Sequence, residues 1–187
     1  MAFKDNILEF SDNKIVDQDS MIEVMMSWEA PIMEKSAEYI CESKGDILEI
    51  GFGMGICSDY IQAQGVNSHT IVEIHPQILE KLNEWAKGKD NVTIVEGDWL
   101  TCGINYYVDK YDGIFLDTFG DESWDSFKTF ANTVGKTGAK LTYWNNYTYA
   151  KDEFGFDNTV FENITVSPDS NMYTDIKETY YMPKVVL

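Results

Sequence analysis

DILEIGFGMGICSDYI, residues 46–61, reads as a buried strand that runs through three alternating glycines into a helix. Asp46–Ile50 is short and apolar, and helical spacing resumes at Ile56. Gly51, Gly53 and Gly55 stand between them. Glycine is costly in regular structure, so the run marks a turn, or backbone that passes very close to something else. A dinucleotide fingerprint would be G-x-G-x-x-G, with an acid about 20 residues further on. Here the spacing is G-x-G-x-G, Ile56 takes the place of the third dinucleotide glycine, and Glu49 is an acid inside the strand. A nicotinamide-dependent oxidoreductase is disfavoured on that spacing.

Outward from the glycines, strands and helices alternate. HTIVEI is a second strand, NVTIVEG a third, YDGIFLD a fourth and AKLTYWN a fifth. MGICSDYIQAQ is read as a helix with Ile56, Tyr60 and Ala63 on one side. Pro76 opens a helix with Ile78, Leu82 and Trp85 at one-face spacing, and SWDSFKTFANTVG is the helix before the fifth strand. Upstream, a helical reading begins at Met21, and APIMEKSAEYICESKG follows, with Pro31 in a first turn and Gly45 closing it. The first 20 residues give no firm signal. NTVFENITV and DIKETYYMPKVVL look like a closing pair of strands. Strands spaced by helices of this length imply a parallel sheet with helices on both faces, a three-layer α/β sandwich of the doubly wound type. No repeat or linker divides residues 1–187, so a single domain is expected.

In such sheets ligands bind beyond the carboxyl ends of the strands, near the topological switch point. The first of these strands ends at Gly51, so residues 51–55 form that loop, and glycines there let the backbone pack against a bound nucleoside. The second strand ends at Glu73, where an acid can accept two hydrogen bonds from ribose hydroxyls.

Composition narrows the function. Fourteen basic against 32 acidic residues give a formal charge of −18, which argues against nucleic acid and is compatible with cationic ligands. No apolar run approaches the roughly 18 residues of a spanning helix, so no membrane partner is expected. The N-terminus has no apolar signal core, and Cys41, Cys57 and Cys102 are too few and scattered for a disulfide framework. They are expected to be reduced and buried, which suits the cytoplasm. With only His69 and His75 besides, and no paired ligand spacing, no metal site is expected.

The pattern E-x-G-x-G-x-G resembles motif I of the class I S-adenosylmethionine (SAM)-dependent methyltransferases. VMMSWEAPIM, LEIGFGMGI, DGIFLDTF and LTYWN resemble, more narrowly, the guanidinoacetate N-methyltransferase family, from about Val24 to Tyr147. The resemblance implies a class I methyltransferase (Rossmann-like) three-layer sandwich, a mostly parallel sheet with an antiparallel closing hairpin. Its cofactor would be SAM, with S-adenosylhomocysteine as product. Met25 and Met33 would pack on the cofactor, Phe52, Gly53, Met54, Gly55, Ile56 and Cys57 would wrap its methionine portion, and Glu49 and Gly51 belong to the same motif. Glu73, Ile74 and His75 would sit at the ribose, and Asp98 and Trp99 at the adenine. Glu29 and Asp117 match two carboxylates that grip a substrate guanidinium. Asn146 and Tyr147 match two residues whose backbone N–H groups hold a substrate carboxylate, though they differ in type from the family's.

That chemistry agrees with the residues. A guanidinium is protonated at neutral pH and is a poor nucleophile. Two carboxylates can fix its planar fork, and one can take a proton as the new N–C bond forms. Asp117, at a strand tip, is the better-placed base, and Glu29 the clamp. The expected activity is N-methylation of a small guanidino compound, guanidinoacetate-like. Another small amine or amino-acid acceptor stays within the same reaction type, and a SAM-binding sensor or partner subunit is the non-catalytic alternative. The joint presence of Glu29 and Asp117 favours the enzyme. Compared with the family, fewer residues precede the matched block, with residues 1–20 expected to cover the cofactor, and little room is left for a helix before the closing hairpin. An acceptor site that is more open, or completed by a second subunit of a homo-oligomer, is therefore expected.

Overall fold

The computed structural model describes residues 3–103, 108–120, 126–169 and 175–187. After a short 3-10 turn at Phe3–Asp5, the chain forms a three-stranded antiparallel sheet of β1 (Leu8–Phe10), β2 (Lys14–Asp17) and β3 (Ile22–Met26). β3 replaces the helix read from Met21. Glu23 is fully buried there and receives the Lys14 ammonium at 3.1 Å, so an acid occupies an inward position and hides the alternation of the strand.

α1 (Ala30–Ile40) carries Pro31 in its first turn, as expected. It ends at Ile40 rather than at Gly45. Gly45 is small for a different reason, since a Cβ there would overlap the Asp112 carboxylate. Then come β4 (Asp46–Ile50), α2 (Ile56–Ala63), β5 (Ser68–Glu73), α3 (Pro76–Trp85), β6 (Val92–Glu96) and β7 (Tyr111–Leu116). α4 (Phe127–Val134), β8 (Gly135–Tyr143), β9 (Val160–Thr165) and β10 (Thr179–Val186) follow. α2 buries Cys57, Ser58 and Ile61, whereas Ala63 is exposed. A serine on the buried face masked the true phase of that helix.

The main sheet has seven strands in the order β6-β5-β4-β7-β8-β10-β9. β6, β5, β4, β7 and β8 are parallel, and β10 runs antiparallel to both β8 and β9. The chain leaves β4 toward β5 and β6, then crosses to β7 on the other side, so the switch point lies between β4 and β7. Alternate residues feed two cores. Ile47, Ile71 and Phe115 pack with residues of α1, α2 and α3, while Leu48, Val72 and Ile114 pack with Phe127, Phe130 and Val134 of α4. The three-layer, mostly parallel architecture with an antiparallel close is therefore the one expected. Among the described residues, no helix is long and apolar enough to cross a membrane.

Candidate active site

Register decides which side chains meet. Glu49 of β4 lies beside Ile71 of β5 and Phe115 of β7. One step of two residues toward the carboxyl ends brings Gly51, Glu73 and Asp117 side by side, and one step back lies His69. These residues share the sheet face that carries α1, α2 and α3. A cavity of about 1100 Å³ opens over them, at the switch point.

The glycine loop is shaped by the protein's own atoms. Gly51 has φ of 93°, and a Cβ would overlap the carbonyl oxygen of Asp117. At Gly53, with φ of 54°, a Cβ would collide with the thioether of Met25. That same sulfur accepts the N–H of Met54 at 3.1 Å. Glycines here thus let the loop close on β7 and on β3 and leave the cavity open above it.

Glu73 organises the loop from the neighbouring strand. Its Oε2 accepts the N–H of Phe52 at 2.9 Å, and its Oε1 accepts those of Ile74 and His75, each at 2.8 Å. Burial pushes its carboxyl above the usual range, against the pull of these three donors. An ionised carboxylate offers about four acceptor sites, so capacity for a ribose hydroxyl remains.

Glu49 is fully buried. Its Oε2 accepts from the Ser58 hydroxyl and from His69 Nε2 at 2.9 Å, while its Oε1 has no hydrogen-bond partner and the residue lines the cavity. His69 Nδ1 takes the Gln62 amide at 3.2 Å, which assigns the proton to Nε2. A buried carboxylate oxygen without a hydrogen bond, on a residue beside the cavity, fits a cationic ligand group such as an α-ammonium. Asp117 faces the same cavity from the end of β7, and its carboxyl is pushed up to about 7, first by desolvation and then by the charge of Glu49.

Most of the residues expected from sequence converge here. Met25 and Met33 line the cavity from β3 and α1, with Gly51, Phe52, Gly53 and Cys57 from the loop. Ile74 follows β5, Asp98 and Trp99 follow β6, and Asn146 follows β8. Trp99 is nonetheless largely packed into the second core, edge-on to Phe130 at 4.8 Å.

Six expected residues do not line the cavity. Met54 and Gly55 form the turn before α2, where Gly55 sits under the Phe52 ring, and Ile56 opens the helix. His75 is fully buried, accepting the Gln77 N–H at the start of α3 and facing the carbonyl of Asn6 at 3.1 Å, so it ties the N-terminal turn to α3. Glu29 is buried with its Oε1 on the N–H of Met26 at 2.9 Å. Tyr147 donates its N–H to Asn145 Oδ1 at 2.9 Å. That bond spends the donor the sequence reading assigned to a substrate carboxylate.

Other contributors lay outside the sequence reading. Phe3 lines the cavity and packs on His75 and Phe119 at 5.0 Å each. Tyr180 is buried, accepts the Asn145 N–H at 2.7 Å, and is held protonated by burial and then by the charges of Asp117 and Glu29. His69 had a visible signal, a polar residue inside a buried strand beside a strand that carries an acid. Phe3 and Tyr180 had none, because their partners are remote in sequence.

The guanidinoacetate N-methyltransferase family matches residues 8–171. Protein arginine N-methyltransferase 2 of Saccharomyces cerevisiae is 37% identical over 139 residues, covering 68% of this chain and 33% of that protein. The Kluyveromyces lactis protein of the same name is 36% identical over 138 residues, with 68% and 33% covered. The chain thus spans about a third of the length of these curated relatives. In fold it is similar to spermidine synthase from Thermotoga maritima, with a TM-score of 0.66 at 10% identity over 96% of this chain and 72% of that one. It is also similar to a putative methyltransferase complexed with SAH, with a TM-score of 0.62 at 11% identity over 96% and 56%. Sequence match, sheet order and glycine loop agree: the chain belongs to the guanidinoacetate N-methyltransferase family, within the class I SAM-dependent methyltransferases.

Proposed function

We propose that the chain is a SAM-dependent N-methyltransferase whose acceptor nitrogen belongs to a guanidinium. The observation that carries this reading is Asp117, a carboxyl at the cavity end of β7 that is pushed up to about 7. Such a group changes charge near neutral pH, as a general base for a strongly basic acceptor must.

SAM bound in the cavity supplies an electrophilic methyl group on a sulfonium. The protein's residues do the rest by positioning. Glu49 Oε1 offers a buried acceptor for the cofactor's ammonium, and Glu73 holds the loop beneath the ribose. Asp117 grips the guanidinium and accepts a proton as the nitrogen acquires its methyl. Glu29 adds its negative charge from the turn before α1, with one oxygen committed to Met26 N–H. A guanidinium on a small molecule and one on a protein side chain present the same group to Asp117, and the names of the fungal relatives favour the second.

Incubation with SAM and a panel of guanidines and simple amines, read by mass spectrometry, tests the reading. One methyl on a guanidino nitrogen is expected. Methylation of amines alone would assign a different acceptor, and tight SAM binding without any transfer would leave a binding protein.

A further inference from the structure

The far wall of the cavity, beyond β8, determines what an acceptor can carry besides its guanidinium. Asn145 is fully buried, and its side chain is committed throughout. Its Oδ1 accepts the Tyr147 N–H at 2.9 Å, and its Nδ2 donates to the carbonyls of Tyr181 at 2.9 Å and Tyr149 at 3.3 Å. Its own N–H goes to the Tyr180 hydroxyl at 2.7 Å. In the turn after β8 the N–H of Tyr147 is therefore held inside the protein, and of the two residues expected at a substrate carboxylate only Asn146 lines the cavity. Opening the turn to release Tyr147 N–H would strand a buried amide oxygen.

The charges around the cavity point the same way. Glu49, Glu73, Glu96, Asp98 and Asp117 line it, and among the described lining residues Lys4 is the single cation, on the exposed N-terminal turn. All 14 basic side chains of the protein are lysines, so it has no guanidinium fork with which to hold a carboxylate bidentately. Lys151, in the loop after β8, places its ammonium 3.9 Å from the centroid of the Tyr147 ring. A carboxylate on the acceptor would enter this field against repulsion, whereas a second positive charge would be welcomed.

We propose that the acceptor is an alkylguanidinium whose stem carries no carboxylate, rather than a guanidino acid. The inference rests on the guanidinium reading of the site, and it narrows the substrate class. The stem is neutral or cationic, which free alkylguanidines and arginine side chains in a peptide both satisfy.

The test is kcat/KM for matched pairs: ethylguanidine against guanidinoacetate, and propylguanidine against guanidinopropionate. Agmatine and an amidated arginine peptide separate a free acceptor from a chain-borne one. The carboxylate-free member of each pair is expected to be favoured by about tenfold or more, mostly through KM. Equal efficiency within each pair, or a preference for the acids, overturns the proposal and leaves the guanidinium reading standing. If no guanidine of any kind is methylated, the underlying reading itself fails and takes the proposal with it.

Discussion

Three acids at the cavity, Glu49 and Glu73 buried and Asp117 partly exposed, do different work because their neighbours differ. Asp117 has little to stabilise its charge, so its carboxyl is raised from 3.8 to about 7. In the unfolded chain it would ionise near its ordinary value, so the folded state binds more protons in between. Its contribution to stability is complete below the unfolded value and is lost as pH rises through about 7. Asp117→Asn should therefore be more stable than the parent at about pH 8, on the order of 1–3 kcal/mol, with the gap closing toward about pH 4. Thermal melts across that range check it. Activity should run the opposite way, with kcat/KM rising with pH up to about 7 and then levelling. Glu49 instead depends on His69. His69→Leu removes the Nε2–H donor and should weaken SAM binding by roughly tenfold, the scale of one buried hydrogen bond to a charge. His69→Gln, whose amide can donate from nearly the same place, should restore most of that affinity in calorimetry. Equal losses in the two variants would mean that the ring only fills space.

At the scale of elements, the glycine loop is held by Glu73 as much as by its own glycines. The sequence assigns Glu73 to the ribose alone, a role whose loss would leave the fold untouched. The three N–H groups on its carboxylate change that expectation. Glu73→Ala should lower folding stability and SAM affinity together, each by about 1–3 kcal/mol. A loss of affinity at unchanged stability would return the residue to a purely ligand-binding role. The central strands and the helices after them were legible because parallel strands covered on both faces read as apolar runs between capped helices. β3 and the face of α2 were not, since Glu23 and Ser58 put polar atoms where the pattern needs apolar ones, each satisfied by a partner elsewhere in the chain. The same reason concealed the Asn145 turn. Nothing in WNNYTY announces that Asn145 and Tyr147 spend their donors on Tyr180, Tyr181 and the turn itself.

The whole molecule adds a field to the site. With a net charge of −18, it should draw cationic acceptors toward the cavity over distances that salt shortens. KM for a cationic guanidine should rise by roughly three- to tenfold between about 0.05 and 0.5 M salt. Binding of S-adenosylhomocysteine, which carries no net charge, should change far less, and parallel salt curves would remove steering from the account. Having no arginine, the chain also offers no guanidinium of its own, so any methylated guanidine formed comes from the added acceptor. On the proposed function, one carboxylate does the acid–base work while the rest of the cavity holds the cofactor. Single-turnover methyl transfer beside equilibrium SAM binding, for the parent and Asp117→Asn, tests it most directly. Transfer should slow by roughly 100-fold or more while SAM affinity stays within about threefold. Near-full transfer by Asp117→Asn would contradict it.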